Sequence, residues 1–128
     1  MILLLDTSTM TCRLSLLDGD NRYDDEWEAN RELAKGLLRY LHDQLAAQGK
    51  NWNDLTGIGV LRGPGSFTGL RIGITVLNTL ADSLHVPIIG ALGERWQAEA
   101  VRRLEAGEDD KIVLPEYGSE AHITQPRK

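Results

Sequence analysis

Arg62-Gly63-Pro64-Gly65-Ser66-Phe67-Thr68-Gly69-Leu70-Arg71-Ile72-Gly73 follows directly on the apolar run Ile58-Gly59-Val60-Leu61, and this junction constrains the chain more than any other stretch. It reads as a strand, a sharp turn and a helix. Glycine reaches positive φ without a clash and proline presets φ near the value a turn needs, so Gly63, Pro64 and Gly65 are turn residues. Ser66 and Thr68 are candidate N-caps, because a small hydroxyl can accept a hydrogen bond from the free N–H groups that open a helix. From Phe67 to Leu84 the polar residues form only a narrow stripe, Arg71, Thr75, Asn78 and Asp82. A helix so apolar must be covered on two sides. One side belongs on a sheet, and Gly69 and Gly73, one turn apart, leave room for another helix backbone. Two uses of the turn stay open. It serves packing, or it cradles an anion, since N–H groups at a helix N-terminus point outward and the helix dipole favours negative charge. The phosphate use has neither a Lys-Ser/Thr pair nor Gly-x-Gly-x-x-Gly behind it.

A chain of 128 residues builds one core and is too short for two full domains. Its net charge of −5, from 14 basic and 19 acidic residues, denies it the positive field that binding a nucleic-acid backbone requires. The single cysteine, Cys12, excludes an internal disulfide, fits a reducing compartment and reads as a small buried residue on a strand. Met1 to Leu5 is apolar but is interrupted at once by Asp6, with no basic segment before it and no cleavage site after it. It is read as neither a signal peptide nor a membrane span, and the expected location is the cytoplasm.

In chain order, Ile2 to Leu5 is a continuous apolar run, as in a strand buried on both faces. Thr11 to Leu17 alternates, Asp18-Gly19-Asp20 is a hairpin turn, and Arg22 to Glu28 forms an outer strand whose Asp24, Asp25, Glu26 and Glu28 suit a sheet edge. Glu32 to Gln48 carries Leu33, Leu37, Leu38, Leu41 and Leu45 at helical spacing, and Gly49 stops it. The fourth strand is Gly57 to Leu61. After the central helix, Val86 to Gly90 is a short fifth strand with Pro87 at its start, and Gly93 to Ala106 is helical. Lys111 to Leu114 is read as a last strand, and residues 115–128 as an extended or disordered tail after a single lobe, 1–114. The order β-β-β-α-β-α-β-α predicts an α/β fold with a mixed five-stranded sheet, strands one, four and five being parallel neighbours. That is the ribonuclease H-like layout.

Asp6, at the carboxyl end of the first strand and followed by Thr7 and Ser8, sits where open α/β sheets bind ligands. It either helps hold a metal-bound phosphate or simply caps its own turn. Two-metal nuclease chemistry needs converging carboxylates, and here the fourth strand ends in Arg62-Gly63. His42, His85 and His122 are dispersed, with no metal-binding spacing. Arg71, on the polar stripe, binds an anion, pairs across an interface or stays solvated. Trp27, Trp52 and Trp96 occur singly and are read as packing or interface residues.

Asp6-Thr7-Ser8 together with the eleven residues from Gly63 to Gly73 closely resembles the signature of the TsaB (YeaZ) family. The resemblance covers residues 1 to 95 by order of elements. It implies an actin-like ATPase fold and a bacterial, non-catalytic scaffold in the synthesis of N6-threonylcarbamoyladenosine at position 37 of tRNA. In that family TsaD carries the catalytic site and its metal, and TsaE supplies an ATPase. The carry-over gives no catalytic or metal residues to this chain and no required cofactor. It assigns Leu33, Leu37, Leu41, Gly69, Arg71, Ile72, Gly73 and Val76 to a helix-bundle interface, used for TsaD or for a homodimer, with tRNA touched only indirectly. Asp6, Thr7, Ser8, Gly63, Gly65 and Ser66 become nucleotide contacts, possible vestiges. The alternative is a nucleotide-binding enzyme of actin-like ATPase fold using those same two loops. Two departures matter: Asn30-Arg31-Glu32-Leu33 stands where the family has a histidine before Ser or Thr, and no length for a second lobe follows Ala106. The expectation is a minimal form, in which Pro115-Glu116-Tyr117 corresponds to a Pro-x-Tyr stretch near the family's C-terminus and ATP binding is poor.

Overall fold

A computed structural model describes residues 1–117. Five strands form one mixed sheet: β1 (Ile2–Asp6), β2 (Thr11–Asp18), β3 (Asn21–Glu28), β4 (Gly57–Gly63) and β5 (Ile88–Leu92), in the order β3-β2-β1-β4-β5. β1, β4 and β5 run parallel, and β2 and β3 complete an antiparallel meander. Three helices flank it: α1 (Leu33–Ala47), α2 (Phe67–Leu84) and α3 (Trp96–Glu105). The predicted element order and the acidic edge strand β3 are observed.

α1 buries Leu33, Leu37, Leu41 and Leu45, one residue per turn. α2 buries Leu70, Ile74, Leu77, Leu80 and Ala81 beside them. Both helices close one face of the sheet over Leu3, Leu5, Leu14, Leu16, Ile58 and Val60. α3 covers the opposite face, where Trp96 and Ala100 meet Leu4, Leu61, Ile89 and Ala91. Burial of these side chains at roughly 25 cal/mol per Å² is the main force holding the layers together. α2 starts at Phe67 because Ser66 caps it, its hydroxyl accepting the Gly69 N–H at 3.2 Å. Thr68, the other candidate cap, lies inside the helix and is exposed. Trp27 stacks on Tyr40 with ring centroids 5.0 Å apart, and Trp96 is buried, so both serve packing.

Two strand expectations shift. β5 begins at Ile88, two residues later than read from the sequence, because the Pro87 carbonyl still accepts the Ile58 N–H while its ring nitrogen donates nothing. Lys111 to Leu114 forms no strand. The outward N–H groups of Ile88 and Gly90, which a sixth strand would need, are held instead by the Asp109 and Asp110 carboxylates at 3.1 and 2.9 Å. Of the expected tail, Pro115 to Tyr117 runs along the body, and residues 118–128 lie outside the described residues. No helix of the described chain is long and apolar enough to cross a membrane.

Candidate functional site

Two loops meet at the carboxyl ends of β1 and β4. The first, Asp6-Thr7-Ser8, turns the chain from β1 towards β2, and the Asp6 carboxylate accepts the Ser8 N–H at 2.8 Å. The second, Gly63-Pro64-Gly65-Ser66, delivers β4 into α2. They are bonded to each other: the Ser66 N–H donates to the Ser8 carbonyl at 2.8 Å, and the Thr7 hydroxyl, fully buried, donates to the Gly69 carbonyl at 2.8 Å. Of the residues singled out in the sequence, the structure brings Asp6, Thr7, Ser8, Gly65 and Ser66 together, whereas Gly63 turns towards Gly93 and Glu116.

The glycines explain the closeness. A Cβ on Gly69 would stand 2.3 Å from the Thr7 carbonyl oxygen, one on Gly73 2.2 Å from the Thr7 hydroxyl, and one on Gly65 2.4 Å from the Ser8 Cβ. The spacing that suggested room for another helix is therefore used up inside the lobe, by a loop. Three of the groups that a phosphate cradle would offer are likewise engaged. The Ser66 N–H serves Ser8, the Gly69 N–H serves the Ser66 cap, and the Thr7 hydroxyl serves Gly69. Among the described residues, no three His, Cys, Asp or Glu side chains lie close enough to hold a metal ion.

The residues assigned to an interface divide. Leu33, Leu37 and Leu41 are at most 5% exposed, so they belong to the core, and Gly69 and Gly73 are buried against Thr7. This corrects their expected placement, because the stripe of α1 with a leucine at every fourth residue is the one that covers the sheet. Arg71, Ile72 and Val76 do reach the surface, and the Arg71 guanidinium lies over the Phe67 ring at 5.2 Å. They line a groove between α1 and α2 together with Ala34 and Thr75. A separate hollow on the same helix pair is lined by Leu38, half exposed at 52%, and Leu84. Of the repeat Ile72, Val76, Leu80 and Leu84, Leu80 is buried, while the other three pack against the core and are only partly covered, so with Leu38 they leave the helix pair an apolar margin at the surface.

Leu38, which the sequence reading counted in the helical repeat but left out of the interface, is the one of those five leucines that is exposed. What sets it apart is its offset of one position from the Leu33, Leu37, Leu41 and Leu45 repeat. Beneath this face the Cys12 thiol is pushed up to about 12 by burial and by the nearby Asp6 and Asp25 carboxylates, so it stays protonated and inert. Burial, and the hydrogen bond that its hydroxyl gives to Asp25 at 2.6 Å, raise the Tyr40 phenol as well.

A family model described as TsaD, tRNA N6-adenosine threonylcarbamoyltransferase, matches residues 27–108. The tRNA threonylcarbamoyladenosine biosynthesis protein TsaB of Haemophilus influenzae is 31% identical over 125 residues, which is 97% of this chain and 52% of that protein. The TsaB proteins of Escherichia coli and Bacillus subtilis are 37% and 38% identical over 90 residues, each covered for 38% of its length. The chain thus spans about half, or less, of the curated relatives it matches. Among solved structures, YeaZ from Pseudomonas aeruginosa superposes with a TM-score of 0.69 at 32% identity, covering 82% of this chain and 49% of that one.

Proposed function

The chain belongs to the TsaB (YeaZ) family, and from that premise we propose that it acts as a non-catalytic scaffold in tRNA N6-threonylcarbamoyladenosine synthesis, pairing with TsaD through the outer face of α1 and α2. The observation that carries this reading is the apolar surface that α1 and α2 leave uncovered. Leu38 is exposed, and Ile72, Val76 and Leu84 are only partly covered where they border the core, on two helices whose Leu33 to Leu45 and Leu70 to Leu77 side chains already fill it. Two helices with a shared apolar groove are the half of a four-helix bundle that a partner's helix pair completes, by ridges entering grooves. The same face would serve a homodimer when TsaD is absent. Catalysis is assigned to TsaD, a reading supported by the Thr7 hydroxyl and the Ser66 N–H being spent on contacts between the two loops. TsaE joins in the wider complex, tRNA is reached only through TsaD, and the cytoplasm is where such a complex works.

Reconstitution tests this. The chain is combined with TsaD, TsaE, tRNA and the pathway's threonylcarbamoyl-adenylate, and modified nucleoside is counted. Dependence on the chain, a severe loss with Leu38→Glu plus Thr75→Arg, and an unchanged yield with Asp6→Asn are expected. A yield lost with Asp6→Asn but kept with the surface pair would replace the scaffold by a nucleotide-handling enzyme.

A further inference from the structure

Beyond α3 the chain is held firmly without pairing as a strand. Asn78 of α2 grips one residue twice: its amide nitrogen donates to the Val113 carbonyl and its amide oxygen accepts the Val113 N–H, both at 2.9 Å. Arg62 holds two of the residues that follow, its Nε donating to the Leu114 carbonyl and its carbonyl accepting the Glu116 N–H, both at 2.8 Å. Val113 is 3% exposed and sits over Gly90, where a Cβ would meet its methyl at 2.4 Å. Four residues later the Tyr117 ring lies 4.5 Å from that of Phe67. Between and before these anchors, Ile112 and Leu114 are 68% and 67% exposed.

Backbone groups read by side chains, one buried aliphatic anchor, one aromatic anchor and outward-facing residues between them describe a bound extended peptide better than a core strand. We propose that the groove formed by Arg62, Asn78, Gly90 and Phe67 is a peptide-recognition site for the pattern Val-x-Pro-x-Tyr, and that its ligand is this chain's own Val113–Tyr117, seated in cis. The specificity follows from the contacts. Gly90 leaves room for a β-branched side chain at the first position, Pro115 needs no N–H partner and holds the extended form, and Phe67 takes an aromatic ring at the fifth.

The test uses the full chain with a sequence-specific protease site inserted between Lys111 and Ile112. After cleavage, the piece from residue 112 onward is expected to co-elute with the body and to exchange for an excess of synthetic Ile112–Tyr117 peptide. Asn78→Ala removes both grips on Val113 and is expected to weaken retention by at least about tenfold, with the far-UV spectrum of the body unchanged. Leu114→Ser, which alters an exposed side chain, is expected to change little. Loss of the piece on cleavage with the body still folded would overturn the proposal, as would unfolding of the body when the piece departs. A concentration-dependent dimer exchanging the segment between copies would overturn the seating in cis.

Discussion

A methyl group on Gly73 would sit 2.2 Å from the Thr7 hydroxyl, and that oxygen is fixed by its bond to the Gly69 carbonyl. Gly73→Ala is therefore expected to lower stability by about 1–3 kcal/mol, the usual range for overpacking a closed site, seen as a lower urea midpoint with unchanged slope. Gly73 is for the same reason useless as an interface probe. Cys12 gives a second expectation at this scale. Its folded value of about 12 lies above the ordinary 9.0, so the folded state keeps a proton that the unfolded chain has lost. Stability from this group is complete below pH 9 and falls between 9 and 12, by roughly 1.4 kcal/mol per pH unit. Cys12→Ala is expected to flatten the alkaline arm of a stability profile, leaving the part due to Tyr40. The glycine spacing was legible in the sequence, but its purpose was not. Thr7 lies 62 residues from the helix carbonyl it bonds, and only the fold brings them together.

Among the elements, the exposed edge of β5 shows how an acidic turn protects a sheet. Asp109 accepts the N–H groups of Ile88 and Lys111, and Asp110 accepts that of Gly90 while Arg103 braces it. Burial alone would raise the Asp109 carboxyl, yet the two backbone donors and Lys111 hold it below its ordinary 3.8. Its contribution is thus present above that value and lost as pH falls below it. Asp109→Ala with Asp110→Ala is expected to cost about 2–4 kcal/mol, two or more hydrogen-bonded charges being removed, and to promote association through the bared edge, measured by urea unfolding and light scattering. Helix positions were readable because α1 and α2 repeat apolar residues at a period that only a helix satisfies. The segment after α3 was misread as a strand because Ile112, Val113 and Leu114 are apolar in sequence. Side-chain carboxylates taking a strand's place on β5 leave no such periodic trace.

At the scale of the whole molecule, the family resemblance assigned α1 and α2 to an interface, but the sequence could not say which side chains stayed outward. The sheet takes the Leu33 to Leu45 repeat and leaves Leu38 exposed, beside Ile72, Val76 and Leu84 at the margin of the core. If that face is the scaffold's purpose, a stable partner should cover it with an interface of roughly 1,200–2,000 Å² in total, the size that specific pairs bury. The measurement to make first is size-exclusion chromatography with mass determination on the chain mixed with TsaD from the same source. Wild type, Leu38→Glu plus Thr75→Arg, and Glu105→Arg on the opposite face would be run side by side. A one-to-one complex for wild type and for Glu105→Arg, absent for the α1–α2 pair of substitutions while that variant remains folded, is the expected result. A complex that survives those two substitutions, or a wild type that stays apart from TsaD, would contradict the account.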